Sequence, residues 1–267
     1  MPMPVDLVLV RHGESQGNEA TRRARAGDDA MLQELRRRHS SFWRLTERGV
    51  EQAQRAGAWL RDEFPQGFDR HWTSEYVRAL ETAAWLGLSG AEWELQPDLR
   101  ERSWGDLDRL TPVEREEHFA ASLAEKASSP FYWRPPNGEA MAEVCARLVG
   151  LLDSLHRHAP DGRALLVCHG EAIGAFRAKL EHMSQLEYER WSTDPNEKIA
   201  NGAIVHYTRR NPEGGELAEH LVWRRGVVPG NPERSTPWGR VRRRSYDSRG
   251  LLAAADEECR FGRTSGA

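Results

Sequence analysis

Two short apolar runs in this chain break off at the same dipeptide. Val5-Asp6-Leu7-Val8-Leu9-Val10 gives way to Arg11-His12-Gly13, and Ala164-Leu165-Leu166-Val167-Cys168 gives way to His169-Gly170. Near-continuous apolar runs of this length mark strands buried on both faces of a parallel sheet. A chain that holds two of them, with helical patterns between, is confined to layered α/β architectures. Ligands of open parallel sheets bind at the carboxyl ends of the strands, so both imidazoles are expected on one rim. A lone histidine at a strand end is commonly a polar residue leaving the core. Its repetition points to chemistry.

The intervening segments support that class. Thr46 is placed to cap a helix whose Val50, Ala53, Gly57 and Leu60 share a face, ending before Pro65. Phe68 to Thr73 reads as a strand and Glu75 to Leu86 as a helix. A helical segment is expected from Pro112, then an irregular stretch through Phe131-Tyr132-Trp133-Arg134-Pro135-Pro136. Met141, Val144, Leu148, Leu151 and Leu155 have helical spacing, and Glu171 to His182 continues the alternation. Ala203 to Thr208 and Leu217 to Trp223 flank Asn211-Pro212-Glu213-Gly214-Gly215 as a hairpin would. The fold expected is a three-layer α/β sandwich: a mainly parallel central sheet with helices on both faces.

The main domain is expected over residues 1–228, with insertions at about 19–42 and 105–137 that cap one face. Beyond Pro229 apolar periodicity disappears, and Arg240, Arg242, Arg243, Arg244 and Arg249 crowd a Gly-, Pro- and Ser-containing segment. Residues 229–267 are therefore expected to be an extended or disordered Arg-rich tail. Such tails are usually solvated, although a basic end can also dock on nucleic acid or another acidic partner. The net charge of -3 over 267 residues advertises neither nucleic acid nor membrane as a partner. No stretch approaches membrane-spanning length. Three cysteines without close pairing, Cys145, Cys168 and Cys259, suit a reducing, cytoplasmic setting and offer no metal-ligand spacing. Monomer and homodimer both remain open.

Around the paired histidines stand groups that suit a phosphoryl centre. Arg11 adjoins His12, Arg78 lies early in the helix after the second strand, and Asn18 can donate to phosphate oxygens. Cationic donors fixed on the equatorial oxygens of a phosphoryl group in flight lower the barrier more than they tighten ground-state binding. A neutral imidazole is a competent nucleophile toward phosphorus, and a phosphohistidine would divide one displacement into two. The blander alternative pairs Arg11 and Arg78 with surface carboxylates. Cys168, inside a buried strand, fits a small core residue better than a nucleophile. His156 and His158 fit a helix end better than a metal site.

These residues resemble the histidine phosphatase superfamily, which includes cofactor-dependent phosphoglycerate mutases and many small phosphatases. The resemblance runs from Val8 to about Tyr207. It is carried by Leu9-Val10-Arg11-His12-Gly13-Glu14-Ser15 with Asn18, Leu45-Thr46-Glu47-Arg48-Gly49 before Gln52-Ala53, and Ser74 with Arg78-Ala79 and Thr82-Ala83. Leu99-Arg100-Glu101 with Gly105, Asn137-Gly138-Glu139 and Val167-Cys168-His169-Gly170-Glu171 complete it. The resemblance implies a phosphoglycerate mutase-like fold, with His12 as the phosphorylated nucleophile. Arg11, Arg78 and His169 would complete the phosphate pocket, and Glu101 would donate the proton to the leaving oxygen. Ser15, Asn18 and Gly170 are expected against a small phosphorylated substrate. The family's metal independence implies that no metal or other cofactor is needed.

Departures from the family pattern bear on the activity. Mutases carry Glu-Arg-His-Tyr-Gly around the acid, whereas this chain reads Glu101-Arg102-Ser103-Trp104-Gly105 and has Arg109 where glycine is usual. A phosphatase is therefore expected before a mutase, and a silent phosphoester-binding module after both. Asp106 is the rival to Glu101, which the bland reading would pair with Arg100 or Arg102. Trp104 and the stretch from Phe131 to Trp133 would either stack on a flat substrate moiety or form the core of the cap. Arg243-Arg244-Ser245-Tyr246-Asp247 resembles a mutase segment in the wrong place and is read as chance.

Overall fold

The computed structural model describes residues 3–241 and 243–264. Seven strands form one sheet: β1 (Asp6–Arg11), β2 (Arg70–Thr73), β3 (Trp93–Leu95), β4 (Arg163–Cys168), β5 (Ile204–Thr208), β6 (Trp223–Val227) and β7 (Thr236–Arg240). Their order is β3-β2-β4-β1-β5-β6-β7. The first four in that order are parallel, and β5, β6 and β7 follow as antiparallel neighbours. The helices are α1 (Gln16–Arg25), α2 (Ala30–Leu35), α3 (Glu47–Glu63), α4 (Val77–Trp85), α5 (Pro112–Ser128), α6 (Met141–His158), α7 (Gly170–Leu180), α8 (Gln185–Thr193) and α9 (Ser248–Thr264).

The two apolar runs lie side by side as β1 and β4, and successive side chains feed opposite layers. Leu7, Leu9, Leu166 and Cys168 join Leu148 and Leu155 of α6 and Ile173 of α7 in one core. Val8, Val10, Leu165 and Val167 join Ala56 and Leu60 of α3 and Ala79 of α4 in the other. A strand apolar at nearly every position is thus explained by a core on each face. Truncating a side chain such as Leu148, which is fully buried, would cost about 2–5 kcal/mol. Thr46 caps α3 by accepting a hydrogen bond from Gly49 N at 3.1 Å.

Two expectations need correction. The second hairpin strand is Trp223–Val227 rather than Leu217 to Trp223. The turn after Asn211 closes on itself, through Gly215 N to Asn211 O and Asn211 N to Glu216 O, each 2.8 Å. Leu217 makes only an isolated bridge to Arg210 before the chain leaves the sheet. The segment after Pro229 is not an extended or disordered tail throughout, because Thr236–Arg240 is the seventh strand and Ser248–Thr264 is helical. Pro237 and Gly239 suggested a loop, yet a proline is admissible on an edge strand. Trp238 is held there by the Arg225 guanidinium, 4.5 Å from its ring, and by the His206 ring at 4.8 Å. Arg242, and the residues from Ser265 onward, lie outside the described residues.

Candidate active site

Register brings the site together. Arg11 pairs with Cys168 and Thr73 with Val167, so β1, β4 and β2 end on one line. The next residues are His12, His169 and Ser74, with His12 N bonded to Cys168 O and Ser74 N to Val167 O, each at 3.0 Å. The imidazole centroids of His12 and His169 are 5.1 Å apart. Gly13 is required because the loop packs against the first turn of α3: a Cβ there would lie 2.2 Å from Gly49 O. The Arg-His-Gly and Thr-Glu-Arg-Gly motifs are therefore two sides of one backbone contact.

The tautomer of His12 follows from its neighbours. Arg78 Nε approaches His12 Nε2 at 3.2 Å, and a guanidinium can only donate. Nε2 is thus the acceptor, and the ring proton sits on Nδ1, which donates to Gly13 O at 2.7 Å. Burial first, then the charges of Arg78 and Arg11, hold His12 well below its ordinary 6.5. His169 is likewise held down by burial, then by Arg78, His12 and Arg11. The imidazoles are therefore neutral at neutral pH, and the unprotonated Nε2 of His12 holds its lone pair toward Arg78 Nε.

His169 Nε2 meets Ser74 Oγ at 2.8 Å, and that hydroxyl also accepts from Tyr76 N at 3.3 Å. Two buried nitrogens nearby, Arg11 Nε and His169 Nδ1, have no hydrogen-bond partner. Such groups are rare in folded proteins and are expected where a ligand supplies the missing atom. Arg11 is fixed by a 2.5 Å hydrogen bond from one terminal nitrogen to Ile199 O. Gly170 opens the place it occupies, since a Cβ there would stand 3.3 Å from Arg11 Nε. α7 begins at Gly170 and directs its positive end toward the same region.

Glu101 does not take the bland role of a partner to Arg100 or Arg102 side chains. One carboxyl oxygen accepts the backbone N–H groups of Arg102 and Glu171, each at 3.1 Å. Burial and then the charge of Glu171 raise its pKa from 4.5, against the opposing pull of Arg78 and Arg11. Asp106 is exposed and accepts from Asn137 Nδ2 at 2.8 Å, which fastens two cap segments together. Burial pushes the Cys168 thiol up, consistent with a core residue.

Arg11, His12, Ser15, Asn18, Arg78, Glu101 and Gly170 line one cavity of about 950 Å³, and fully buried His169 stands next to His12 without lining it. Ser15 caps α1: its Oγ accepts from Asn18 N at 3.3 Å and donates to Asn18 Oδ1 at 3.0 Å. Asn201 Nδ2 also donates to Asn18 Oδ1, at 3.1 Å. With its oxygen occupied, the end of Asn18 free to serve a ligand is its NH₂ group. Trp133 is buried in the cap and Trp104 is half-buried, with ring centroids 6.1 Å apart. Their faces are met by Lys126, at 4.8 Å from Trp104 and 5.3 Å from Trp133, and by Arg102 at 5.3 Å from both. Cations thus stand where a flat substrate would have stacked.

Sequence reasoning did not assign site roles to Ser74, Thr82 or Asn201. Thr82 Oγ1 accepts from Gly13 N at 3.1 Å and donates to Arg78 O at 2.6 Å, joining the loop after β1 to α4. Asn201 reaches His12 O at 3.1 Å from a polar turn before β5, which carries no motif that would have marked it. Among the described residues, no three His, Cys, Asp or Glu side chains group so as to hold a metal ion, and no helix is long and apolar enough to cross a membrane.

Comparison with known proteins places the chain in a family. Residues 7–213 match the histidine phosphatase superfamily (branch 1). The chain is 30% identical over 187 residues to a 2,3-bisphosphoglycerate-dependent phosphoglycerate mutase of Methylorubrum populi, covering 67% of this chain and 80% of that protein. Among solved structures, a mycobacterial glucosyl-3-phosphoglycerate phosphatase in complex with VO3 is similar with a TM-score of 0.60 at 25% identity, covering 76% of this chain and 92% of the other. A putative alpha-ribazole-5'-P phosphatase of Escherichia coli shares the fold, with a TM-score of 0.61 at 22% identity over 82% of this chain and 96% of the other. The chain belongs to branch 1 of the histidine phosphatase superfamily.

Proposed function

We propose that the protein is a phosphatase that hydrolyses a phosphate monoester through a phosphohistidine on His12, with Glu101 as the proton donor. The observation that carries this reading is the neutral His12 ring, its Nε2 turned to Arg78 Nε and its proton held by Gly13 O. Arg78 Nε turns from His12 to a phosphoryl oxygen, the freed Nε2 lone pair attacks phosphorus, and the bond from phosphorus to the leaving oxygen breaks. The Glu101 carboxyl proton passes to that oxygen, releasing the alcohol. The phosphorylated ring keeps its Nδ1 proton on Gly13 O. Water then attacks phosphorus, the Glu101 carboxylate takes a water proton, the N–P bond breaks, and orthophosphate leaves with His12 neutral again. Arg11 and Arg78 face the charge spread over the phosphoryl oxygens, and the unpartnered His169 Nδ1 and Arg11 Nε suit further hydrogen bonds to them.

A phosphoglycerate mutase is the second reading, because the curated relatives bear that name at 30% identity. Against it stand the missing His-Tyr pair after Arg102 and the arginine at 109. A binding module without turnover is disfavoured by the presence of both histidines, both arginines and the glutamate. The test is phosphate release from phenyl phosphate with chelator present, comparing the wild type with His12→Ala, together with a search for an acid-labile, alkali-stable phosphoenzyme. Chelator-resistant turnover that vanishes with His12 supports the reading. Exchange of phosphate between positions of phosphoglycerate without net release would replace it with the mutase.

A further inference from the structure

The cavity is large for a phosphoryl group alone, at the upper end of the roughly 300–1,000 Å³ of small-molecule sites. Its far walls carry four further cations: Lys198 beyond α8, Arg25 at the end of α1, and Arg115 and Lys126 on α5. Among the described residues none of the four side chains forms an ion pair or donates a hydrogen bond, although the chain is rich in both kinds of contact. Arg115 Nε is buried without a partner. Lys126 lies over the Trp104 and Trp133 rings, and Arg115 is 5.7 Å from the Trp104 centroid, so the aromatic wall orients the cations without neutralising them.

The four stand in sequence rather than apart. Lys198 is held below its ordinary value by burial, then by Arg25 and Arg11. Arg115 is lowered by burial and by Arg25, and Lys126 by burial, then by Arg102 and Arg115. Each cation is therefore close enough to feel the next, along a track from the catalytic Arg11 to the aromatic wall. The carboxylates of the cavity are largely engaged elsewhere. Glu171 pairs with Arg102 at 3.5 Å, Glu197 with Arg177 at 2.9 Å, and Asp108 accepts from Ser40 Oγ at 2.6 Å. Asp108 attracts Arg115 more than Arg25 repels it, and Glu171 attracts Lys126 more than either Arg102 or Arg115 repels it, so burial is what holds both cations below their ordinary values. Arg115 and Lys126, half-buried without an ion pair, lose hydration that nothing in the protein replaces, and an anionic ligand recovers that cost on binding, with the exposed Arg25 and Lys198 extending the same wall.

We infer that the group attached to the transferred phosphoryl is itself multiply anionic, with further phosphates or carboxylates lying along Lys198, Arg25, Arg115 and Lys126. This rests on the phosphatase reading of the same cavity and narrows its substrate class.

The test is calorimetric titration of the full chain with orthophosphate, inorganic tripolyphosphate and 3-phosphoglycerate at fixed ionic strength. Tripolyphosphate is expected to bind at least about tenfold more tightly than orthophosphate. Lys126→Met, which keeps an unbranched stem against the tryptophans, and Arg115→Gln should each reduce that preference about fivefold or more. The two residues lie in different turns of α5, so either variant serves if the other unfolds in a melting control. Equal affinities for the two anions in the wild type, or an unchanged ratio in a folded variant, would overturn the inference. The phosphoglycerate arm tells whether a carboxylate suffices, by matching tripolyphosphate, or whether further phosphates are needed, by matching orthophosphate. Failure of the underlying reading looks different: a wild type that prefers tripolyphosphate yet releases no phosphate from phenyl phosphate leaves the anion track standing without the phosphatase.

Discussion

Removing the Arg78 side chain isolates the electrostatic part of the mechanism. Its Nε is 3.2 Å from His12 Nε2, which under the proposed mechanism would set it against the phosphoryl group in both half-reactions. It is only 7% exposed and, among the described residues, pairs with no carboxylate, leaving its charge for the ligand. Loss of one such preorganised donor costs about 2.7–4 kcal/mol, or 10²–10³ in kcat. Arg78→Ala should therefore lower kcat/KM for phenyl phosphate by about that factor. It also removes the largest charge that depresses the His12 pKa. The imidazole attacks only when neutral, so the acid limb of the kcat/KM profile should move to higher pH. Arg78→Lys, which keeps a charge but not the fork, should leave the limb nearer the wild type while restoring only part of the rate. The assay is initial phosphate release from acid to neutral pH, with a melting curve to show that the variant is folded. The variant also strands Ser40 O, which accepts from Arg78 at 2.8 Å, at a cost of about 1–3 kcal/mol in stability. A loss below about tenfold, or an acid limb that does not move in a folded Arg78→Ala, would refute the reasoning.

The other expectations concern protonation. Glu101→Gln removes the donated proton and should slow turnover by about 10²–10⁴, with the deficit larger for alkyl than for aryl phosphates because an aryl oxide leaves more readily without a proton. An equal deficit for both would count against Glu101 as the acid. The folded-state pKa values of His12 and His169 lie below the ordinary 6.5, so below that pH the unfolded chain binds more protons than the folded one. Their contribution to stability is complete above about 6.5 and declines as pH falls, so the melting temperature should drop on acidification, and less steeply in His12→Gln. Glu101 acts in the opposite sense: its raised pKa favours the folded state below 4.5 and loses that contribution as pH rises through the folded value.

The strand ends were readable because burial on two faces leaves an unmistakable apolar run, and a histidine that interrupts it must sit on the rim. His12, His169 and Cys168 were placed by that argument alone. Ser74, Thr82 and Asn201 were not given roles, because their bonds to His169, Gly13 and His12 join residues far apart in the chain, and each is a common polar type. Arg115 and Lys126 were not singled out within the helix expected from Pro112, since periodicity tells which side of α5 is polar but not that a cavity lies against it. β6 and β7 were missed or misplaced for a related reason. Arg224, Arg225, Pro237 and Gly239 obscure the strand alternation at the sheet edge, where Trp238 is held by Arg225 and His206 rather than by a continuous core.

The cap also stores a measurable strain at the residue that departs from the family pattern. Arg109 has φ 64, the left-handed region where glycine is at ease and other residues lose about 1–2 kcal/mol. Reciprocal bonds hold it there. Arg36 Nε donates to Arg109 O at 2.8 Å, Arg109 donates to Arg36 O at 3.1 Å, and Arg36 is itself fixed by its ion pair with Glu114 at the start of α5. The clasp continues through Asp108 and Ser40, whose carbonyl accepts from Arg78, so the strained backbone and Arg78 share one network. In Arg109→Gly, relief of strain should roughly offset the lost side-chain bond, worth about 0.5–1.5 kcal/mol. Arg109→Ala loses the bond and keeps the strain, so it should melt below both the wild type and the glycine variant. Thermal unfolding of the three proteins decides the matter. If alanine is as stable as glycine at this position, the left-handed backbone is not what the clasp is working against, and the coupling of cap geometry to Arg78 must be sought in the Ser40 contact alone.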